Sequence, residues 1–574
     1  MIPAPKSTAR EALEPVLRRR LDELREVTAI LKKLRLSPIE TCQRVINGRV
    51  LDFKTRAFFA GLPEHEKHYW ISSLYALLIP PARRRRLAAY FTPPHLAQHA
   101  IDVLIEAGID PGEDRILDPA SGGAAFLVPL AARVAAEGRR RHMSAEPILQ
   151  KIESTLAGVE IEPDLAQLSR AFLSNMLRSE IRLAGRNLKA SIKSADTLRL
   201  PAPRLLFDAV IGNPPYGRVL RPSKAILEDF ADVISHGHVN LYALFLEQAL
   251  RWVKPGGIVC FIIPMSFIGG PYFSEFRKRI LETADILRLD PINKRSDVFH
   301  DVLCDVCVIA LRRKGSPGRR VTPRCSLLMT DGPNIPLGNL DLPASATGRV
   351  WALPDRDHSG QFFNHGLENL EDYGYIAKTG YFVWNREQHR YRVGRKPRAN
   401  EVPLFWAHNV AAGKVCNPCD DVSSPYRIGF VKMKRGSSAV VQSDAIILQR
   451  TSNRRQRRRL VAGTIREAKV PGNRGFVTEN HTIVVVPDPG KKQQMSLTML
   501  CRLLNTAAVD ARFRRISGSA SVSTKALAKL PLPAAADVRA AFKADIEIER
   551  AIDDAYAQTA NRFRSKSISA RREG

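Results

Sequence analysis

Four short apolar runs, "DRILDPAS", "TLAGVEIE", "FDAVIGN" and "GIVCFIIP", are spaced through residues 81–313 with amphipathic stretches between them. Runs of this length bounded by Gly, Pro and polar residues read as strands, and the intervening 3.6-residue periodicity reads as helix. Strands alternating with helices predict an α/β domain built on a mostly parallel, doubly wound sheet. In such a sheet ligands lie in the crevice beyond the carboxyl ends of the strands. The residues that end these runs are therefore the first candidates for function.

Two or more domains are expected, because 574 residues exceed what one hydrophobic core organises. Residues 1–80 read as an N-terminal helical segment. Within it "EALEPVLRRRLDELREVTAILKKLRL" repeats apolar residues at helical spacing, as a helix packed on the next domain would. "RRKGSPGRRVTP" (312–323) combines Gly, Pro and charge without periodicity and opens a linker over 314–345. Residues 346–574 form a further domain of short strand-like runs, scattered aromatics and arginine clusters. Its clearest basic stretch, "RTSNRRQRRRL" (450–460), has six arginines and no acid.

The balance of 88 Lys+Arg against 58 Asp+Glu gives a formal net charge of +30. That favours a polyanionic partner, nucleic acid first and an anionic membrane surface second. The start of the chain, "MIPAPKSTAREALEP", lacks the apolar core of a signal peptide, and "GGIVCFIIPMSFIGG" is too short to span a bilayer. A soluble intracellular protein with no membrane partner is expected. Eight cysteines in this length do not make a disulfide framework. Cys304 and Cys307 fall in a strand-like run, where positions three apart face opposite sides. Cys416 and Cys419 in "KVCNPCDD" have no second pair nearby, so no metal site is assigned.

The chemistry gathers at the strand ends. "RILDPASGGAAFLVPLAARVAA" (115–136) is a strand, a glycine-bearing turn and a helix start. Gly122 and Gly123 allow close backbone approach, and the helix start offers free N–H groups. It is neither a Walker loop nor a GxGxxG fingerprint. Asp118 ends that strand. Glu160 ends the next, placed to take both hydroxyls of a ribose, and Asp196 in "SADTL" follows a third, placed to accept from an adenine amino group. Any one acid reads as a surface or capping residue. Three at successive strand ends, followed by the rigid "NPPY" at 213–216, read as a site.

In this order of parts the chain resembles the class I S-adenosylmethionine-dependent methyltransferases. More narrowly it resembles the gamma-class N6-adenine DNA methyltransferases of type II restriction–modification systems. The resemblance rests on "YFTPPHLAQHAIDVL" (90–104), "LDPASGGAAFL", "GVEIEP", "SADTL" and "NPPY", and covers about residues 85–313. It implies S-adenosylmethionine as cofactor, held by Tyr90, Thr92, Pro93, Asp118, Ala120, Gly122, Glu160, Asp196 and Asn213. It implies catalysis by Asn213, Pro214, Pro215 and Tyr216, with Phe299 in "SDVFHDVLCDVCVIAL" as a second aromatic. The Asn213 side-chain oxygen and the Pro214 carbonyl would accept hydrogen bonds from an exocyclic amine, and Tyr216 and Phe299 would stack on the flipped-out adenine. The family loop usually reads DPxCGSGxFL. Here Ser121, Gly123 and Ala124 replace its Cys, Ser and second Gly, and a methyl at 124 crowds the loop if that position needs a positive φ.

The resemblance extends to a mixed α/β target-recognition domain in the last 229 residues, 346–574. Arg450, Asn453, Arg454, Arg455, Asn480, His481 and Arg515 are its candidate contacts to duplex DNA, on phosphates and base edges. A separately encoded restriction endonuclease is the implied partner, and a monomer at the nucleoid in a bacterial cytoplasm the implied setting. Release-factor glutamine and ribosomal RNA methyltransferases use similar tips, but they lack so long an arginine-rich region. A non-catalytic DNA-binding protein on a degenerate fold is the other alternative, and labelled-cofactor binding separates it.

Overall fold

The computed structural model describes residues 13–49, 52–86, 91–219, 221–234, 239–292, 305–315, 321–329, 333–340, 342–343, 351–354, 367–394, 396–416, 429–451, 456, 458–470, 472, 474–517, 521–543 and 547–572. Two compact units divide the chain, Met1–Trp351 and Ala352–Gly574.

Unit one begins with helices α1 (Leu13–Lys32), α2 (Pro38–Ile46), α3 (Phe53–Ala60), α4 (Lys67–Leu78) and α5 (Pro81–Arg86). On α1 the buried residues Leu24, Val27 and Leu31 recur at helical spacing and make one core-facing stripe. Helix α4, "KHYWISSLYALL", is buried over most of its circumference, as an all-round apolar helix must be. Its Trp70, Leu74 and Tyr75 share one continuous core with residues of the α/β sheet. The 1–80 segment and the sheet are therefore parts of one unit.

The sheet is built from β1 (Ile116–Asp118), β2 (Leu156–Glu160), β3 (Ser191–Ser194), β4 (Phe207–Gly212), β5 (Val253–Pro264), β6 (Ala284–Pro291), β7 (Val306–Arg313), β8 (Arg324–Leu327) and β9 (Ile335–Asn339). Their order is β3-β2-β1-β4-β5-β7-β6-β8-β9. The first five are mutually parallel, and β7 is antiparallel to β5 and β6. The expected runs at β1, β2, β4 and β5 are all present. Residues of β4 and β7, and of β5 from Gly257 onward, are buried almost throughout, as strands covered on both faces are. Helices α6 (Pro94–Glu106), α7 (Leu127–Arg140), α8 (Ala145–Thr155) and α9 (Pro163–Met176) accompany the first strands. The chain runs from β1 outward through β2 to β3, then restarts on the other side of β1 at β4. That reversal opens a crevice at the carboxyl ends of β1 and β4.

Strands β8 and β9 lie within the stretch expected as a linker. Asp290, fully buried on β6, ties β8 in place. It accepts from Arg288 Nε at 2.5 Å and from the Ser326 N–H at 2.8 Å, with His99 Nε2 at 2.9 Å. The periodicity of 314–345 is too short to announce strands, because an edge hairpin gains its stability from a neighbour far away in sequence.

Unit two has a six-stranded sheet and a four-stranded sheet among its described residues. The first contains β10 (Tyr375–Thr379), β13 (Val410–Ala411), β14 (Gly413–Val415), β16 (Ala445–Gln449), β17 (Ala462–Ile465) and β19 (Thr482–Pro487). The second contains β11 (Tyr391–Val393), β12 (Glu401–Phe405), β15 (Gly429–Lys432) and β18 (Val477–Thr478). Helices follow from Leu497 onward, so this unit is mixed α/β. No described helix in either unit is long and apolar enough to cross a membrane.

Asp290→Ala leaves its donors without their buried acceptor and should cost about 3 kcal/mol. Urea unfolding is the check, with a lowered midpoint expected at an unchanged slope.

Candidate active site

The ends of β1 and β2 are stitched together by the turn that follows β1. Ser121 donates its N–H to the Val159 carbonyl at 2.9 Å, and Ser169 Oγ on α9 donates to the Gly122 carbonyl at 2.7 Å. Glu160 divides its carboxylate between two backbone donors. Its Oε2 accepts the Gly122 N–H and its Oε1 the Glu162 N–H, both at 2.8 Å. Burial pushes the Glu160 carboxyl up, opposed by those two N–H groups, which favour its charged form.

Asp118 is nearly fully buried, and only its Oδ1 finds a donor, the Ala120 N–H at 3.1 Å. Its Oδ2 and the Ser121 hydroxyl are buried without a partner. Burial raises the Asp118 carboxyl to about 8, with Glu160 adding a like charge nearby. Asp196 follows β3 and is more open; its Oδ1 caps the Leu198 N–H at 3.1 Å. Beneath it, Thr197 Oγ1 donates to the Pro119 carbonyl at 2.5 Å.

Asn213 sits directly beyond β4 with its amide held at both ends. Nδ2 donates to Thr92 Oγ1 at 3.0 Å, and Oδ1 accepts from the Tyr216 hydroxyl at 2.5 Å. The Tyr216 hydroxyl also lies 3.1 Å from the Ile262 carbonyl on β5, and its ring meets Tyr242 edge-on at 6.5 Å. In this state the tyrosine is anchored by its hydroxyl next to the asparagine. Pro214 is buried and Pro215 is half-buried.

A cleft of about 460 Å³ opens here, and Pro214 and Tyr216 are not among the residues that line it. Thr92, Asp118, Ala120, Gly122, Glu160, Asp196, Asn213 and Pro215 line it. Pro93 does not; its carbonyl starts α6 by accepting the Leu96 and Ala97 N–H groups. Tyr90 and Phe299 lie outside the described residues. The apolar wall was not anticipated: Phe91, Phe126, Leu165, Leu198 and Phe245 complete the cleft. Of these, Phe91, Phe126 and Leu198 fall inside the quoted motifs, whereas Leu165 and Phe245 carry no such signal. Buried carboxylates, an orphan hydroxyl and flat apolar walls suit a ligand that combines positive charge, hydroxyls and an aromatic ring. S-adenosylmethionine has all three.

The departures in the loop have a structural counterpart. Ala124 is buried at φ 56°, so the residue replacing glycine does occupy the left-handed region, at a backbone cost of about 1–2 kcal/mol. At Gly123 a side chain is excluded altogether. A Cβ there would lie 2.0 Å from Ser72 Oγ on α4. The N-terminal helices thus fill the space that a loop serine would need.

In unit two the Arg450 guanidinium donates to the Asn480 carbonyl at 3.0 Å, and its N–H to the His481 carbonyl at 2.8 Å. Arg450, Asn480 and His481 therefore come together at one turn. His481 is exposed, and its ring contacts Glu479. Arg515 is half-buried in a helix away from that turn in sequence. Asn453, Arg454 and Arg455 lie outside the described residues. The basic stretch is not uniformly a surface: Arg459 is buried, and Arg458 is tied to the Asn505 carbonyl and to Glu549. Arginine-rich sequence reads as solvated, yet the Asp510 carboxylate draws the Arg459 and Leu460 N–H groups into the core at 2.6 and 2.8 Å. Cys307 is buried on β7, while Cys304 and Cys419 lie outside the described residues. Among the described residues no three His, Cys, Asp or Glu side chains form a metal-binding group.

Residues 156–299 match the Eco57I restriction–modification methylase family. Over 339 residues the chain is 24% identical to the type II methyltransferase M.PstI of Providencia stuartii, covering 57% of this chain and 65% of that one. It is 22% identical over 346 residues to the type II methyltransferase M.BsuBI of Bacillus subtilis, again with 57% and 65% covered. The chain thus spans just under two thirds of the length of these two relatives. A stretch of 151 residues is 37% identical to the modification methylase CviBIII of Paramecium bursaria Chlorella virus NC1A, covering 25% of this chain and 37% of that one. Among solved structures, the type IIL restriction–modification enzyme MmeI in complex with DNA shares the fold. Its TM-score is 0.53 at 13% identity, with 86% of this chain and 78% of that one covered.

Asp118 generates a pH prediction. An ordinary carboxyl in the unfolded chain loses its proton near pH 4, whereas the native one keeps it to about 8. Native protein therefore holds the extra proton between these values, and stability contributed at low pH should be lost as pH rises through that window. Denaturation across pH should show this loss, and Asp118→Asn should flatten it. A second prediction concerns the loop: Gly123→Ser should destabilise by about 1–3 kcal/mol through overpacking. Adding Ser72→Gly should recover most of that in thermal unfolding.

Proposed function

We propose that this chain, a relative of type II methyltransferases with an Eco57I-type methylase segment, transfers a methyl group from S-adenosylmethionine to the N6 amino group of adenine in duplex DNA. The observation that carries this reading is the meeting of Asp118, Glu160, Asp196 and Asn213 in one cleft at a sheet's switch point. Bound S-adenosylmethionine supplies a methyl group on a positively charged sulfur. Glu160 would hold the ribose hydroxyls and Asp196 the adenine amino group of the cofactor, with Asp118 and Ser121 offering their unpartnered oxygens nearby.

An exocyclic amine is a poor nucleophile because its lone pair is delocalised into the ring. Asn213 Oδ1 and the Pro214 carbonyl would accept hydrogen bonds from that NH₂ and free its lone pair to bond to the methyl carbon, as the carbon–sulfur bond breaks and its electron pair stays on sulfur. As positive charge develops on nitrogen, the two fixed oxygens stabilise it, and the surplus proton leaves to solvent. No strong base is needed. Thr92 serves here as a positioning residue, since its bond to Nδ2 aims Oδ1 at the substrate. Tyr216 shares Oδ1 in this state, so its ring turns onto the base as the hydroxyl gives way to the amine. The target base must leave the duplex, at a cost of a few kcal/mol, about what stacking returns. The net charge of +30 supports a duplex DNA substrate. A cognate endonuclease on a separate chain, a bacterial cytoplasmic setting and action as a monomer belong to the same proposal.

Asn213→Ala should lower methyl transfer at least about a hundredfold while leaving duplex binding in place. Thr92→Val should lower kcat about tenfold, and Thr92→Ser should retain it. Long-read methylation mapping in cells expressing the chain should report N6-methyladenine at one sequence context. A different modified base overturns the adenine assignment, and near-wild-type turnover by Asn213→Ala overturns the mechanism.

A further inference from the structure

Unit two exposes large aromatic side chains in a basic surround. Tyr381 is 41% and Trp384 39% solvent-exposed. They lie in "KTGYFVWNREQHRYRVGRKPR" (378–398), which holds seven Lys and Arg against one acid, Glu387. Glu387 is itself paired with Arg390. Opposite this stretch, Glu401 is taken up by Arg392. The acids are neutralised within the unit, and the remaining positive charge faces outward on Arg386, Lys396 and Arg398.

The rings are also held rigidly. Trp384 packs against Tyr391 at 5.2 Å, Trp406 at 5.9 Å and Phe382 at 6.3 Å between ring centres. The Arg390 guanidinium donates to the Tyr381 hydroxyl at 3.1 Å and to the Lys432 carbonyl at 2.9 Å, fixing that tyrosine to β15. A platform of this kind needs no ordering on binding, so little of the stacking energy is lost.

The turn at 380–384 is joined to the turn at 478–482, the one that holds Asn480 and His481. Phe382 donates its N–H to the Thr478 carbonyl at 3.0 Å and accepts the Asn480 N–H at 2.8 Å, while the Gly380 N–H reaches the Thr482 carbonyl at 3.0 Å. Gly380 is required for this approach, since a Cβ there would lie 2.0 Å from the Glu479 carbonyl oxygen. Arg450, Asn480, His481, Tyr381 and Trp384 are thus brought together by two interlocked turns.

We infer that Tyr381 and Trp384 form an aromatic platform on which a base left unstacked by the flipping of its neighbour rests, with Arg386 and Lys396 on the flanking phosphates. Flipping uncovers a π-face on the bases it leaves behind, so stacking supplies affinity where hydrogen bonds from Asn480 and His481 supply discrimination. The excess of cations favours a polyanion over a protein surface. The inference rests on the proposed DNA substrate and names where unit two holds it.

The test uses the full chain and a fluorescently labelled duplex carrying the site found by methylation mapping, with binding read as anisotropy over a salt series. Trp384→Ala and Tyr381→Ala should each weaken binding about tenfold, with little change in the slope of log Kd against log salt. Trp384→Phe should retain most of the affinity. Arg386→Gln with Lys396→Gln should flatten the slope by about two phosphate contacts. Circular dichroism and thermal unfolding check the fold of each variant, and Tyr381→Ala, which removes only one exposed ring, guards against misfolding of Trp384→Ala. If the unaltered chain binds and methylates DNA while folded Tyr381→Ala and Trp384→Ala bind as tightly, this inference falls alone and the rings serve a protein partner. If the unaltered chain binds no duplex, the inference and the proposed substrate fall together.

Discussion

The carboxylate of Glu160, buried where β2 ends, has to find hydrogen-bond donors, and it finds them in the backbone of the neighbouring turn. Its bonds to the Gly122 and Glu162 N–H groups join the end of one parallel strand to the loop following another. A buried carboxylate without such donors would cost several kcal/mol. The loop is therefore held open at the crevice, with Asp118 and Ser121 facing a cleft they cannot satisfy themselves. A site with unmet polar groups and apolar walls is prepared for a ligand. Much of unit one can be understood as support for that loop.

The support comes from both sides of the sheet's switch point. From the N-terminal helices, Ser72 closes against Gly123 and leaves no room for a side chain. From α9, Ser169 fixes the Gly122 carbonyl. On the far side, Thr92 and Tyr216 grip the two ends of the Asn213 amide. That grip matters because an amide rotated by half a turn presents a donor where an acceptor is needed. The proposed chemistry therefore depends on Thr92 as well as on Asn213.

In unit two, part of the charge is paired internally. Glu387 and Glu401 are paired within the unit, and the buried Arg459 lies beside an internal acid, Asp510. Arginine content alone is therefore a poor map of the outward-facing charge. Backbone hydrogen bonds interlock two turns far apart in sequence, 380–384 and 478–482.

The local pattern of this chain was enough to locate the strands β1, β2, β4 and β5, the acids at their ends and the Asn-Pro-Pro-Tyr tip, because each is a short-range signal. Apolar runs stop where polar residues must begin, and the strand ends are where a parallel sheet exposes its ligands. The edge hairpin β8–β9, the merging of the N-terminal helices with the sheet's core and the contact of Ser72 with Gly123 could not be read that way. Each depends on partners tens to hundreds of residues away, whose proximity only folding creates. The same holds for Arg459, polar by composition but interior by position, and for the Thr92–Asn213 bond across 121 residues. Sequence by itself determined which chemical groups the chain possesses and where along it β1, β2, β4 and β5 fall. Tertiary structure decided which of those groups meet, because hydrogen bonds and close packing act over a few ångströms whatever the distance along the chain.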